Sequence, residues 1–168
     1  MQLIWLLPKK KKMKKKVRVM ATGVFDLLHA GHLFYLQQSK SLGDELVVVV
    51  ANDKTVKEQK HTPIIPQDLR RKLVEALKPV DKAVIGDPED KFKVVEDLRP
   101  DIITLGYDQF RSYDLGKKLT ERGIKVKIVR LPRYDDYDLN GTRKIIQKIA
   151  DRMAAKEILV HRSKETDG

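Results

Sequence analysis

From residue 17 onward, blocks of apolar residues alternate with polar, helix-spaced blocks. "VRVMAT", a β-branched run closing at Gly23, reads as a strand. Residues 31–42 place Leu33, Phe34, Leu36 and Leu42 near helical spacing, with Gly43 as the stop. "ELVVVVA", 45–51, is continuously apolar, the mark of a strand covered on both faces of a parallel sheet. A polar loop follows, then a helix over about 66–77, with Pro66 suited to its first turn. "KAVIG" reads as a third strand, "PEDKFKVVEDL" as a helix, and "DIITLG" as a fourth strand. "SYDLGKKLTERG" reads as a helix interrupted by Gly116, "KVKIVRL" as a fifth strand, and 142–155 as a last helix. Strands alternating with helices in this way predict a doubly wound, Rossmann-like α/β domain over 17–155. Its five-stranded parallel sheet carries helices on both faces. No internal repeat and no second domain are visible.

Composition adds constraints. The chain has 168 residues, about one domain, and no cysteine. That excludes disulfides, a thiolate nucleophile and a Cys-based zinc site, and suits a cytoplasmic protein. The formal charge is +11, but seven lysines lie in "KKKKMKKK", 9–16, which leaves about +4 for the rest. The basicity therefore belongs to residues 1–16, read as a disordered extension, with Met13 as an alternative initiator. A basic arm for nucleic acid or anionic lipid is the other reading, but no arginine or aromatic interleaving supports it. "MQLIWLLP" is too short to span a bilayer, and its charges follow the apolar run where a signal peptide has them before it. Residues 156–168 read as a polar tail. Neither nucleic acid nor membrane is expected as a partner.

The chemistry concentrates in "TGVFDLLHAGHLFYL", 22–36, where two of the four histidines stand three residues apart. The stretch follows the first strand and opens a helix, so it lies at the carboxyl end of a parallel sheet, where ligands collect. It is not G-x-G-x-x-G, and no G-x-x-x-x-G-K-[ST] occurs in the chain. His29 and His32, at i and i+3, can face one side. The helix start adds free N–H groups and partial positive charge, and Gly31 lets a ligand approach the backbone. These parts make an anion cradle. Zinc ligation would want H-E-x-x-H and a third ligand, neither of them evident. A purely structural turn is the remaining alternative.

"GVFDLLHAGH" resembles the G-x-F-D-x-x-H-x-G-H signature of the cytidylyltransferase-like nucleotidyltransferases, and the resemblance extends over about 17–149. "SLGDELVVVVANDKTVK", "PIIPQDLRRKLVEALKPVDKAVIG" and "RPDIITLGYDQ" are most similar to archaeal FAD synthetases. The resemblance implies transfer of AMP from ATP to the phosphate of FMN, giving FAD and pyrophosphate. A cytidylyltransferase using CTP and glycerol 3-phosphate or another small alcohol phosphate is the alternative, and a non-catalytic nucleotide sensor a third reading. It implies a magnesium or other divalent cation carried with the nucleotide, and a homodimer. His29, His32 and Lys60 are then the catalytic residues, although Lys60 also reads as a solvated loop lysine beside Lys54 and Lys57. Val24, Phe25, Ala30 and Gly31 meet the nucleotide, and Arg70 reaches it, with Arg71 as its competitor. Asp108 contacts the nucleoside or serves as a turn aspartate. Tyr134, with Tyr137 close by, lies near the base. Thr142 caps a helix that faces phosphate, or is an ordinary cap preceded by Gly141 where the family has serine.

Overall fold

The computed structural model describes residues 15–59, 62–109 and 112–155. The expectations for 1–14, 156–168 and Lys60 fall outside them. In chain order the described elements are β1 (Arg18–Gly23), α1 (Ala30–Lys40), β2 (Glu45–Val50), α2 (Asp53–Gln59), α3 (Gln67–Glu75) and β3 (Lys82–Ile85). They continue with α4 (Lys93–Leu98), β4 (Ile102–Leu105), α5 (Ser112–Glu121), β5 (Lys127–Arg130) and α6 (Thr142–Ala154). The strands form one sheet in the order β3-β2-β1-β4-β5, every pair parallel. The order reverses between β1 and β4, which opens a crevice at their carboxyl ends.

Period-two alternation sorts the strand residues into two cores. Val19 and Ala21 of β1 and Leu46, Val48 and Val50 of β2 pack with Tyr35 and Leu36 of α1 and Val74 of α3. Met20 of β1 and Ile103 and Leu105 of β4 pack on the other face with Val95 of α4 and Leu119 of α5. Each buried Val, Leu, Ile or Met side chain among them contributes roughly 1.5–3 kcal/mol. The doubly wound arrangement read from the sequence is the observed one.

A buried polar knot ties α1 to the crevice. The Tyr35 hydroxyl donates to the Thr104 carbonyl at 2.9 Å, and the hydroxyls of Ser39 and Thr104 meet at 2.8 Å. Burial pushes the Tyr35 pKa up to about 12. The histidine-bearing helix is thus anchored to β4 by neutral hydrogen bonds that pH does not disturb.

Three elements differ from the sequence reading. Residues 53–59, read as loop, form α2, with Asn52 Oδ1 accepting the Thr55 N–H at 2.8 Å. The helix expected over 88–98 starts only at Lys93, because Asp87 and Asp90 capture the N–H groups of Glu89, Asp90 and Phe92. Side-chain capture of this kind holds the backbone in turns. Pro66 stands at the N-cap of α3, one position before its first turn.

Candidate active site

The loop after β1 is built around one inward aromatic. Phe25 has φ +54°, the left-handed region that a non-glycine residue occupies at a cost of about 1–3 kcal/mol. Its ring, 2% exposed, fills the space where a Gly23 Cβ would stand, 2.8 Å away, and lies 5.1 Å from the His32 ring. Burial of the ring offsets the backbone strain. Asp26 is also buried and accepts the N–H groups of Ile64 and Ile65 at 3.0 and 2.8 Å. Sequence reading gave Asp26 no role, because its partners lie 38 and 39 residues further along.

His29 is the N-cap of α1. Its Nδ1 accepts the His32 backbone N–H at 3.3 Å, so the ring proton sits on Nε2. The two imidazoles stack at 3.8 Å and 20°. Burial lowers the His29 pKa. Burial first, and then neighbouring His29, push His32 down to about 3, with the Leu27 backbone working the other way. Among the described residues, Nδ1 of His32 is buried without a hydrogen-bond partner. The pair is therefore a set of neutral imidazoles at physiological pH.

That burial has a measurable consequence. Unfolded, His32 protonates near pH 6.5; folded, near pH 3. Between these values the unfolded chain binds the extra proton. The contribution of neutral His32 is therefore complete above pH 6.5 and is lost as pH falls, at about 1.4 kcal/mol per pH unit. Thermal melts of His32→Gln between about pH 7 and about pH 4 lose stability less steeply than the parent chain. Equal slopes would contradict neutral burial.

Gly31, expected to let a ligand approach the backbone, also has a close neighbour within the chain. A Cβ there would meet the backbone oxygen of Asn140 at 2.5 Å. The chain itself makes a close approach here, and it brings 131–141 over the amino end of α1. Asn140 Nδ2 donates to the Tyr134 carbonyl, and the Tyr134 ring lies 5.2 Å from Phe34 and 6.4 Å from Tyr137. Thr142 is the first residue of α6, while Gly141 is the N-cap and offers no side-chain bond. The departure from a Ser/Thr cap leaves the leading N–H groups of α6 without a side-chain partner among the described residues, next to the amino end of α1. Two helix amino ends meet there, and both favour an anion.

Asp108 is exposed in the loop after β4. Gln109 Nε2 donates to the Thr22 carbonyl at 2.9 Å, and Arg130 donates to the carbonyls of Gly106 and Gln109 at 2.8 and 2.7 Å. Gln109 shapes the loop from within it and Arg130 from the end of β5. Arg70, expected at the nucleotide, is fully buried beneath the loop after β1. Arg71 is partly exposed and paired with Glu75 at 2.6 Å.

No group of three or more His, Cys, Asp or Glu side chains among the described residues is arranged to hold a metal ion. Imidazole and backbone N–H donors suit phosphate oxygens, and a hard cation such as magnesium takes its ligands largely from the phosphates themselves. The donor set fits a cation carried in on the nucleotide.

The cytidylyltransferase-like family profile matches residues 20–159. The chain belongs to that family. Within it, the chain is 62% identical to an Aciduliprofundum boonei protein named FAD synthase, over 138 residues that cover 82% of this chain and 93% of the relative. A Thermoplasma acidophilum FAD synthase is 52% identical over 136 residues, 80% of this chain and 95% of the relative. The crystal structure of a Thermoplasma volcanium protein, named for lipopolysaccharide core biosynthesis, superposes with TM-score 0.70 at 52% identity. It covers 72% of this chain and 100% of its own. In this cytidylyltransferase-like chain, no helix among the described residues is long and apolar enough to cross a membrane.

Proposed function

We propose that this chain is an FMN adenylyltransferase that makes FAD and pyrophosphate from ATP and FMN in the cytoplasm. The observation that carries the reading is the 62% identity to a named FAD synthase across 93% of that relative. An oxygen of the FMN phosphate bonds to the α-phosphorus of ATP, and the bond from that phosphorus to the pyrophosphate oxygen breaks. The FMN phosphate, with a second pKa near 6, is already mostly dianionic at pH 7 and needs no general base. Neutral His29 and His32 suit this chemistry, since the reaction wants donors for charge on phosphoryl oxygens and in-line positioning.

In this reading His29 and His32 line the α- and β-phosphates, with the amino ends of α1 and α6 at Ala30, Gly31 and Thr142 beside them. Lys60 adds a cation, Val24 and Phe25 supply backbone, and Asp108 and Tyr134 face the nucleoside. Magnesium, carried on the phosphates, supplies further charge neutralisation. A homodimer is the expected assembly, on the family resemblance.

A panel pairing ATP or CTP with FMN or glycerol 3-phosphate, read by pyrophosphate release, tests the assignment. ATP with FMN is the pair that reacts. Turnover of CTP with glycerol 3-phosphate alone would transfer the assignment to the cytidylyltransferase reading, and nucleotide binding without release would favour a sensor.

A further inference from the structure

Two buried charged residues lie beneath the cradle without belonging to its donor set. Arg70 has no exposed surface and spreads its guanidinium over four acceptors from three segments. Nε donates to the Ile65 carbonyl at 2.8 Å, Nη1 to the Val24 carbonyl, and Nη2 to the Ala51 carbonyl at 2.8 Å and Asp53 Oδ1 at 2.6 Å. Asp26 grips the same loop by its N–H groups, at Ile64 and Ile65. Gln67 supports the arrangement by accepting the Asp53 N–H at 2.8 Å.

We propose that Asp26 and Arg70 are positioning residues for nucleotidyl transfer, clamping loop 62–66 to the phosphate loop and fixing the backbone on which the phosphates lie. The claim rests on the cradle reading above. Its physical basis is the place of Phe25. That left-handed residue stands between Val24, whose carbonyl Arg70 holds, and Asp26, whose carboxylate is bonded across to the second loop. A strained non-glycine conformation persists only where its surroundings over-determine it. Released on either side, Phe25 relaxes and carries the Val24–Asp26 backbone away from the line set by the imidazoles. Only a planar fork reaches four acceptors in these directions. Lysine, with the same charge, does not.

The test uses the full chain with Arg70→Lys and Asp26→Asn, plus Gln67→Ala as a milder variant. A misplacement of about 1 Å costs on the order of a hundredfold, so kcat per folded molecule falls by about 30- to 100-fold in the first two variants. The Kd for ATP stays within about threefold, because ground-state binding tolerates a looser loop. Gln67→Ala shifts kcat in the same direction by less. Millimolar guanidinium, but not urea, restores turnover in Arg70→Ala. Amide exchange accelerates in both 24–28 and 62–66 when either clamp residue is changed, while β1 and β2 stay protected. Unchanged kcat per folded molecule, or acceleration confined to the mutated segment, would overturn the proposal. A parent chain that makes no FAD counts against the functional reading instead, and the paired exchange result still decides the clamp.

Discussion

His29→Ala and His32→Ala each turn over at least about a hundredfold more slowly than the parent chain, with the fold retained. Donors aimed at developing phosphoryl charge are worth roughly 3–4 kcal/mol apiece, and the reaction needs no general base that could share the loss. The two losses differ in kind. His29 caps α1 through Nδ1, so its removal also costs about 1 kcal/mol of helix stability. His29→Asn keeps a capping acceptor and isolates the catalytic share: its melting temperature returns toward the parent value while turnover stays low. His32 caps nothing, and its replacement leaves room beside Phe25. Saturating kcat and thermal melts measured together separate the effects. Near-normal turnover in either alanine variant would remove the imidazole pair from the chemistry.

Gly31→Ala should both destabilise the chain and slow it. Helix propensity alone argues the opposite, since alanine inside a helix gains about 1 kcal/mol over glycine. Position decides the sign. The new Cβ would stand 2.5 Å from the Asn140 backbone oxygen and 3.1 Å from the His29 ring. The first contact is with main chain, which cannot swing aside as a flexible side chain would. Overpacking of this kind costs about 1–3 kcal/mol, enough to outweigh the propensity gain. Relief requires loop 131–141 to lift from α1, taking the amino end of α6 with it. Turnover then falls by about 10- to 100-fold through misplacement alone. A higher melting temperature with unchanged turnover would show that the two helix ends need not meet.

Local signals carried the fold. The run in β2 reads as a doubly covered strand because every position is apolar, and the two histidines stand out where a strand becomes a helix. α2 was hidden because "DKTVKEQ" has Val56 as its single aliphatic residue and therefore no stripe. Its helix depends on the Asn52 cap and on Asp53 ties to Gln67 and Arg70. Arg70 and Arg71 look alike in the sequence, yet one is buried among carbonyls and the other pairs on the surface. Nothing local distinguishes them, since the acceptors of Arg70 arrive from as far as Val24, 46 residues away. The protein contact at Gly31 was hidden in the same way, in a carbonyl 109 positions along the chain.

The measurement that tests the central claim most directly follows the α-phosphorus. Purified chain is incubated with magnesium, FMN and ATP labelled at the α-phosphate, and the products are separated. Label should appear in FAD with one pyrophosphate released per FAD formed, while label placed at the γ-position leaves with pyrophosphate. Unlabelled FMN recovered intact, with α-label found only in ATP or AMP, would contradict adenylyl transfer to the flavin.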